Sequence, residues 1–202
     1  MAIGDKHVLT GDIADGAYLT VRPASSSEYF RITSITSEAL NGTLQLYNNG
    51  SSTASSVGFH YGMPLNLTDL NFPITYGNYV KVGNSSGANA KIAVTYEIIP
   101  GPIFEAFQTI SGGGTYTCNA DSGDEVRVVY IGMGGFPSTV ELTDGTNAVD
   151  MPNLGISDIY SPYASIFNVD IFITGTKGLI FTNTKSDATS SITVLGYKTK
   201  DV

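Results

Sequence analysis

The chain has 202 residues, 42% hydrophobic and only 14% charged, with no tryptophan, one cysteine and a formal net charge of −8. That length holds one large β-domain or two small ones, each able to bury a core. The acidic balance repels nucleic-acid phosphates and anionic lipid, so neither nucleic acid nor a membrane is expected as a partner.

Apolar and polar residues alternate with a period of two along most of the chain, and helical periodicity is nearly absent. The opening segment Met1-Ala2-Ile3-Gly4-Asp5-Lys6-His7 lacks the charged-then-apolar pattern of a signal sequence, and no stretch is apolar for the length a bilayer requires. The expectation is a soluble chain made in a cytoplasm, able to reach the outside as part of a larger particle. Strands are predicted at Val8 to Ile13, Ala17 to Val21, Tyr29 to Ile35 and Thr43 to Tyr47. The run from Asn48 to Ser56 is polar and has nothing to bury, so it reads as an exposed loop. Pro64 to Leu70 alternates, Tyr79 to Val82 leads into a turn over 83–87, and Lys91 to Tyr96 closes the first half.

Pro100-Gly101-Pro102 cannot continue a central strand and marks a junction. Ile99, Ile103, Phe104 and Phe107 beside it argue against a loose tether. The second half is predicted to have strands near Tyr116 to Asn119, Glu125 to Ile131, Thr139 to Thr143, Ala148 to Met151, Phe167 to Thr174, Gly178 to Phe181 and Ser191 to Tyr197, with a loop over Asn153 to Ser165. Short strands divided by Gly, Asn, Asp and Ser turns indicate antiparallel sandwiches.

The two halves read as one pattern written twice. Gly16-Ala17-Tyr18 leads to Tyr29-Phe30-Arg31-Ile32, as Gly114-Thr115-Tyr116 leads to Glu125-Val126-Arg127-Val128. Thr43-Leu44-Gln45-Leu46-Tyr47 matches Thr139-Val140-Glu141-Leu142-Thr143, and Lys91 to Tyr96 matches Ser191 to Tyr197. The fold class is therefore all-β: two tandem antiparallel β-sandwich, jelly-roll-like modules related by internal duplication. The expected boundaries are 1–99, a linker over 100–106, and 107–202. Charge is unequal between halves: residues 1–101 hold five Lys and Arg against seven Asp and Glu, residues 102–202 five against eleven.

A duplicated catalytic domain should repeat its catalytic residues, and none repeat. The expectation is a protein that is not an enzyme, with no catalytic residue, cofactor or metal site. Cys118 cannot form an internal disulfide and, on an alternating strand, reads as a buried small side chain. Asp121, Asp124 and Glu125 share a turn and carry oxygens suited to a hard cation, but their spacing matches no calcium loop. Gly112-Gly113-Gly114 lacks the following Lys and helix of a phosphate cradle and reads as a flexible turn. The candidate contact residues are Arg31 and Arg127, at matching positions in the two copies, with Tyr47, Tyr61, Tyr160 and Tyr163. Each Arg is either a subunit contact or an ordinary outward charge. The tyrosines, with Tyr76 and Tyr79, read as lying in or near loops, where they either bind a protein or sugar or cap the ends of a core.

The runs Gly114-Thr115-Tyr116-Thr117, Ala120-Asp121-Ser122-Gly123-Asp124-Glu125-Val126 and Thr139 to Asn147 resemble tailed-phage virion structural proteins, most closely β-sandwich or jelly-roll capsid decoration (cement) proteins. The resemblance rests on strand-and-turn patterning and carries over no functional residue. It implies attachment to a major capsid protein on the capsid exterior, assembly in a host cytoplasm, and a symmetric homo-oligomer, with a trimer favoured. The alternative is a carbohydrate- or receptor-binding sandwich of a virion tail or fibre.

Overall fold

Alternating side chains give each strand one face to bury, and antiparallel pairing brings those faces together in sheets. The computed structural model describes residues 2–48, 59–61, 64–134, 138–151 and 165–199; every regular element among them is a strand. The chain divides into two compact units, Met1–Gly101 (module 1) and Pro102–Val202 (module 2).

Module 1 contains β1 (Lys6–Ile13), β2 (Tyr18–Val21), β3 (Tyr29–Ser37), β4 (Gly42–Asn48), β5 (Phe59–Tyr61), β6 (Leu65–Leu67), β7 (Phe72–Ile74), β8 (Asn78–Asn84) and β9 (Ala90–Ile99). Module 2 contains β10 (Ile103–Ile110), β11 (Thr115–Cys118), β12 (Glu125–Gly134), β13 (Ser138–Thr143), β14 (Ala148–Asp150), β15 (Ser165–Thr174), β16 (Gly178–Asn183) and β17 (Ser190–Lys198). In module 2 the sheets run β10-β17-β12-β15 and β11-β16-β13-β14. Module 1 repeats this as β1-β9-β3-β6, with β7 also on β3, and β2-β8-β4-β5. Counted within module 2, the orders are 1-8-3-6 and 2-7-4-5, the two Greek keys of a jelly roll, and module 1 gives the same orders when β6 and β7, both paired with β3, are counted as one interrupted strand. The expected fold class is the observed one.

The pairing registers make the repeat quantitative. Arg31 faces Glu97 across β3–β9, and Arg127 faces Tyr197 across β12–β17. Each lies two residues before the irregular residue of its strand, where the register shifts between Ile32 and Ser34 and between Val128 and Tyr130. The extra residue resets the inward phase, so Phe30 and Ile32 point inward before it and Ile35 and Ser37 after it. Arg31 and Arg127 are therefore equivalent.

The match of Tyr18 with Tyr116 is corrected by one residue. Tyr18 pairs with Gly83 and Thr115 with Thr182, so Tyr18 corresponds to Thr115 and Leu19 to Tyr116. Gly16 and Gly113, at φ 74° and 70°, carry the matching left-handed turn positions. A one-residue slip exchanges the faces of a strand, and Tyr18 is exposed while Tyr116 is partly buried beside the module 2 core.

The expected linker is also corrected. β9 ends at Ile99 and β10 starts at Ile103, so only Pro100-Gly101-Pro102 lies between them. Residues 103–106 are strand because they pair with Val194 to Tyr197 of β17 directly after the second proline. The Gly112-Gly113-Gly114 turn is not loose: Gly113 N–H donates to the Lys185 carbonyl, and backbone of Ser186 fills the space beside Gly112. The predicted loops over 48–56 and 153–165 lie outside the described residues, except that Asn48 and Ser165 are strand residues.

Module 2 buries Val126, Val128, Ile131, Met133, Ile173, Ile192 and Val194 from one sheet against Cys118, Val140, Leu179 and Phe181 from the other. Each large apolar side chain contributes about 1.5–3 kcal/mol by leaving water. Module 1 buries Phe30, Ile32, Ile35, Ile92 and Val94 from its first sheet and Leu19, Val21, Leu44, Leu46, Val80 and Val82 from its second. Cys118 is one of these core residues, and burial pushes its thiol up to about 12. That shift suits an inert side chain rather than a nucleophile.

Sequence patterning gave no sign of the asparagine that closes each sandwich. Asn84 at the end of β8 donates from Nδ2 to the Ile13 carbonyl on β1 (2.8 Å) and the Ala88 carbonyl (2.7 Å), and its Oδ1 accepts from Ser86 N–H (3.0 Å). Asn183 at the end of β16 donates to the Ile110 carbonyl on β10 (3.3 Å) and the Ala188 carbonyl (2.7 Å), and accepts from Lys185 N–H (3.0 Å). Both are buried, and each ties a strand of one sheet to a strand of the other. Asn84→Leu and Asn183→Leu are expected to cost about 2–3 kcal/mol each, because buried carbonyls lose their donors. Urea denaturation checks this, and a loss below about 0.5 kcal/mol in either would show its amide to be dispensable.

Candidate binding face

The outward positions of the β2-β8-β4 sheet form a tyrosine and cation array. Pairing sets three rows. Tyr18, Gly83 and Thr43 form the first, Thr20, Lys81 and Gln45 the second, and Tyr79 and Tyr47 the third. Arg22 follows Val21 off the end of β2, beside Tyr79, and Tyr76 lies on the turn before β8. None of the outward side chains of β2, β8 and β4 up to Tyr47 is a carboxylate, in a chain with 18 Asp and Glu.

Tyr47 and Tyr79 stack with ring centroids 5.4 Å apart and planes 13° apart. Lys81 Nζ lies 4.0 Å from the Tyr47 centroid, 5.8 Å from Tyr18 and 5.9 Å from Tyr79. The Arg22 guanidinium lies 3.8 Å over Tyr76 and 4.8 Å from Tyr79, while its Nε donates to the Tyr76 carbonyl at 2.7 Å. Tyr47 Oη donates to Gln45 Oε1 at 3.1 Å. Each exposed cation–ring contact contributes about 0.5–1 kcal/mol, enough to bias rotamers without locking the surface. Tyr18 and Tyr76 remain 44% and 41% exposed, so a partner can reach them.

Module 2 supplies an internal control. Its equivalent outward rows are Thr115, Thr182 and Thr139; Thr117, Ile180 and Glu141; and Gly178 with Thr143. The tyrosines and both cations are gone. The inward positions stay apolar, with Leu19, Val21, Val80, Val82 and Leu44 answered by Tyr116, Cys118, Leu179, Phe181 and Val140. Core packing therefore accounts for the inward set in both modules but not for the array.

Of the sequence candidates, Tyr47 belongs to this face, near the end of β4 as its predicted strand placed it, and so does Tyr79, near the start of β8. Arg31 forms an ion pair with Glu97. Arg127 makes a two-pronged contact with Asp170 (2.7 and 3.0 Å), which holds that carboxyl below its usual range. Both guanidiniums thus have partners within their own module. Tyr61 lies on β5 with its side chain outside the described residues, as are Tyr160 and Tyr163 altogether. Lys198 Nζ sits 2.7 Å from Asp124 and 3.6 Å from Asp121, and Thr199 Oγ1 donates to Glu125 Oε1, so a lysine already meets the acidic turn. Among the described residues no group of three His, Cys, Asp or Glu is placed to hold a metal ion. Sequence reading missed Arg22 and Lys81. Their signal was the outward phase of Tyr18-Leu19-Thr20-Val21-Arg22 and Tyr79-Val80-Lys81, which needed the strand order to become a surface.

No family model matches the chain, and no curated protein does. Among solved structures, it overlaps one described as the atomic structure of Sulfolobus turreted icosahedral virus, at 12% identity, covering 97% of this chain and 91% of that one, with a TM-score of 0.35. The PBSX exported protein XepA gives 8%, 96%, 86% and 0.34. A conserved protein of unknown function from Pseudomonas aeruginosa PAO1 gives 9%, 96%, 82% and 0.32. At these values the overlaps carry no argument, and the fold rests on the strand pairing.

The Tyr18 ring lies across Gly83, where an added Cβ would meet it at 2.7 Å and Thr43 Oγ1 also at 2.7 Å. Gly83→Thr is therefore expected to destabilise module 1 by about 1–3 kcal/mol through overpacking. Tyr18→Thr in the same chain, which recreates the module 2 pair, should recover most of that loss. Urea midpoints of the single and double variants test the coupling, and strictly additive effects would show that ring and glycine are independent.

Proposed function

We propose that this chain is a non-enzymatic virion structural protein that attaches to the exterior of a capsid shell and stabilises it, with the β2-β8-β4 face of module 1 as the attached surface. One observation carries the reading: among the described residues, of two equivalent jelly-roll faces only that of module 1 bears clustered tyrosines with cations. Tyrosine and arginine dominate interface energetics because they bury large area at low entropic cost. The partner class, a major capsid protein, follows from the resemblance of the module 2 turn-and-strand runs, as does homotrimeric assembly. Charge supports the polarity. Module 1 is nearly neutral and meets a protein surface with little charge desolvation, while the more acidic module 2 stays solvated.

Mixing purified protein with undecorated shells should give saturable occupancy and raise the temperature at which the shells break. Binding without added heat resistance, or no binding, would instead favour a carbohydrate- or receptor-binding role for the same tyrosines, checked on a glycan array. Light scattering at micromolar concentration should give the mass of three chains. A monomer there would remove the trimer from the proposal.

A further inference from the structure

The geometry points to the chemistry of the partner. The β2-β8-β4 face takes an extended acidic protein segment that offers two carboxylates two residues apart, one to Arg22 and one to Lys81. This inference rests on the binding role of that face and names what it binds.

Charge comes first. Among the described residues, Arg31, Arg127, Lys185 and Lys198 each have an ion pair; Arg22 and Lys81, like Lys6, Lys91 and Lys177, have none, and of these five only Arg22 and Lys81 lie on the tyrosine face. Covering those two cations with a neutral partner would leave buried charges uncompensated, which is strongly unfavourable. Carboxylates remove that cost. Flat sugar rings do not, and Lys81 and Arg22 already lie over faces of Tyr47 and Tyr76.

Preorganisation comes second. Arg22 is held by its Nε bond to the Tyr76 carbonyl and by stacking on the ring. Both terminal nitrogens of its fork remain for a carboxylate, the arrangement that gives Arg bidentate selectivity. Lys81 Nζ sits among three tyrosine rings and presents a point charge.

Spacing comes third. Arg22 stands beside Tyr79, and Lys81 follows two residues along β8 opposite Thr20, so the cations are diagonal neighbours across adjacent strands. Diagonal positions lie about 7–8 Å apart. Residues i and i+2 of an extended chain lie about 6.6 Å apart and point the same way, so one strand or extended loop reaches both cations. A helix presents i and i+2 on different faces and fails this geometry.

The test uses the full chain and two eight-residue peptides of alternating Thr and Val, one with Glu at positions 3 and 5, the other with Gln there. Amide NMR of the labelled protein should show shifts confined to residues 18–22, 43–47 and 76–83 with the Glu peptide, and none with the Gln peptide. Arg22→Gln with Lys81→Gln should weaken the Glu peptide by about tenfold or more, since each charge-assisted contact is lost, while the protein stays folded with a urea midpoint lowered only by the loss of its own cation–ring contacts. Lys91→Gln with Lys177→Gln should bind as the parent does. Equal shifts with both peptides, or full binding by the Arg22/Lys81 variant, would overturn the inference. So would binding of an oligoglucuronate in place of the Glu peptide, which would assign the face to acidic glycans. Shell binding by the parent and by the Arg22/Lys81 variant alike would leave the capsid role standing and remove the acidic segment. Glu-peptide binding without shell binding would do the reverse.

Discussion

A β-sandwich must join two sheets at ends where the strands run out of partners, and polar backbone left there without water is costly. In this chain a buried asparagine meets that constraint, once per module. An asparagine carries two donors and an acceptor on one short side chain. Asn84 and Asn183 spend both donors on carbonyls of other segments, one of them on the strand across the sandwich, and the acceptor on the turn that follows. The backbone N–H of each also donates, to the Ala17 and Gly114 carbonyls at the start of the neighbouring strand. With that corner fixed, β1 and β2, or β10 and β11, are held in the register that aims alternate residues inward.

Register then decides which side chains form a surface. Tyr79 and Lys81 take the outward phase of β8 because Val80 and Val82 face inward, Tyr79 itself being buried beneath Tyr47, Arg22 and Lys81, and the same phase holds for Tyr47 against Leu46 and for Tyr18 against Leu19. The array is therefore a consequence of core packing plus residue choice. It needs no loop to be ordered on binding. A face built mainly on paired strands loses less conformational freedom than a loop site when a partner arrives, and the long Arg and Lys side chains need the most further restraint. Their contacts with Tyr76 and Tyr47 supply part of it.

Much of the architecture was legible in the residues, because period-two alternation is a direct record of one buried face. The long strands, the duplication and the Arg31–Arg127 match all come from it. It failed where alternation is too short or interrupted. β5 and β7 have three residues each, β10 follows immediately on a proline, and the extra residue in β3 and β12 reverses the phase mid-strand. The Tyr18–Tyr116 match failed because two similar residues one step apart tempt the eye, while only cross-strand pairing shows which face each takes. Of the candidate face, single residues were legible and their assembly was not. Tyr47, Tyr79, Lys81 and Arg22 come from three distant segments, and the order β2-β8-β4 is not written in any one of them.

The two modules also separate what folding demands from what it does not. Position for position, the inner sets differ in shape yet stay apolar: Leu19 becomes Tyr116, Val21 becomes Cys118 and Val82 becomes Phe181. Those exchanges keep the apolar pattern while changing size, which an interior tolerates when neighbouring side chains repack around them. The outer sets conserve nothing of the kind. Thr and Glu on module 2 satisfy an exposed sheet as well as any residues would, so stability alone does not require three tyrosines and two cations on module 1. Nor does solubility, since clustered rings on an accessible sheet face favour association. A surface that departs from its own duplicate in the direction of greater stickiness, with cations placed where they deter neutral or basic partners, has the properties of a selective contact rather than of a bare scaffold.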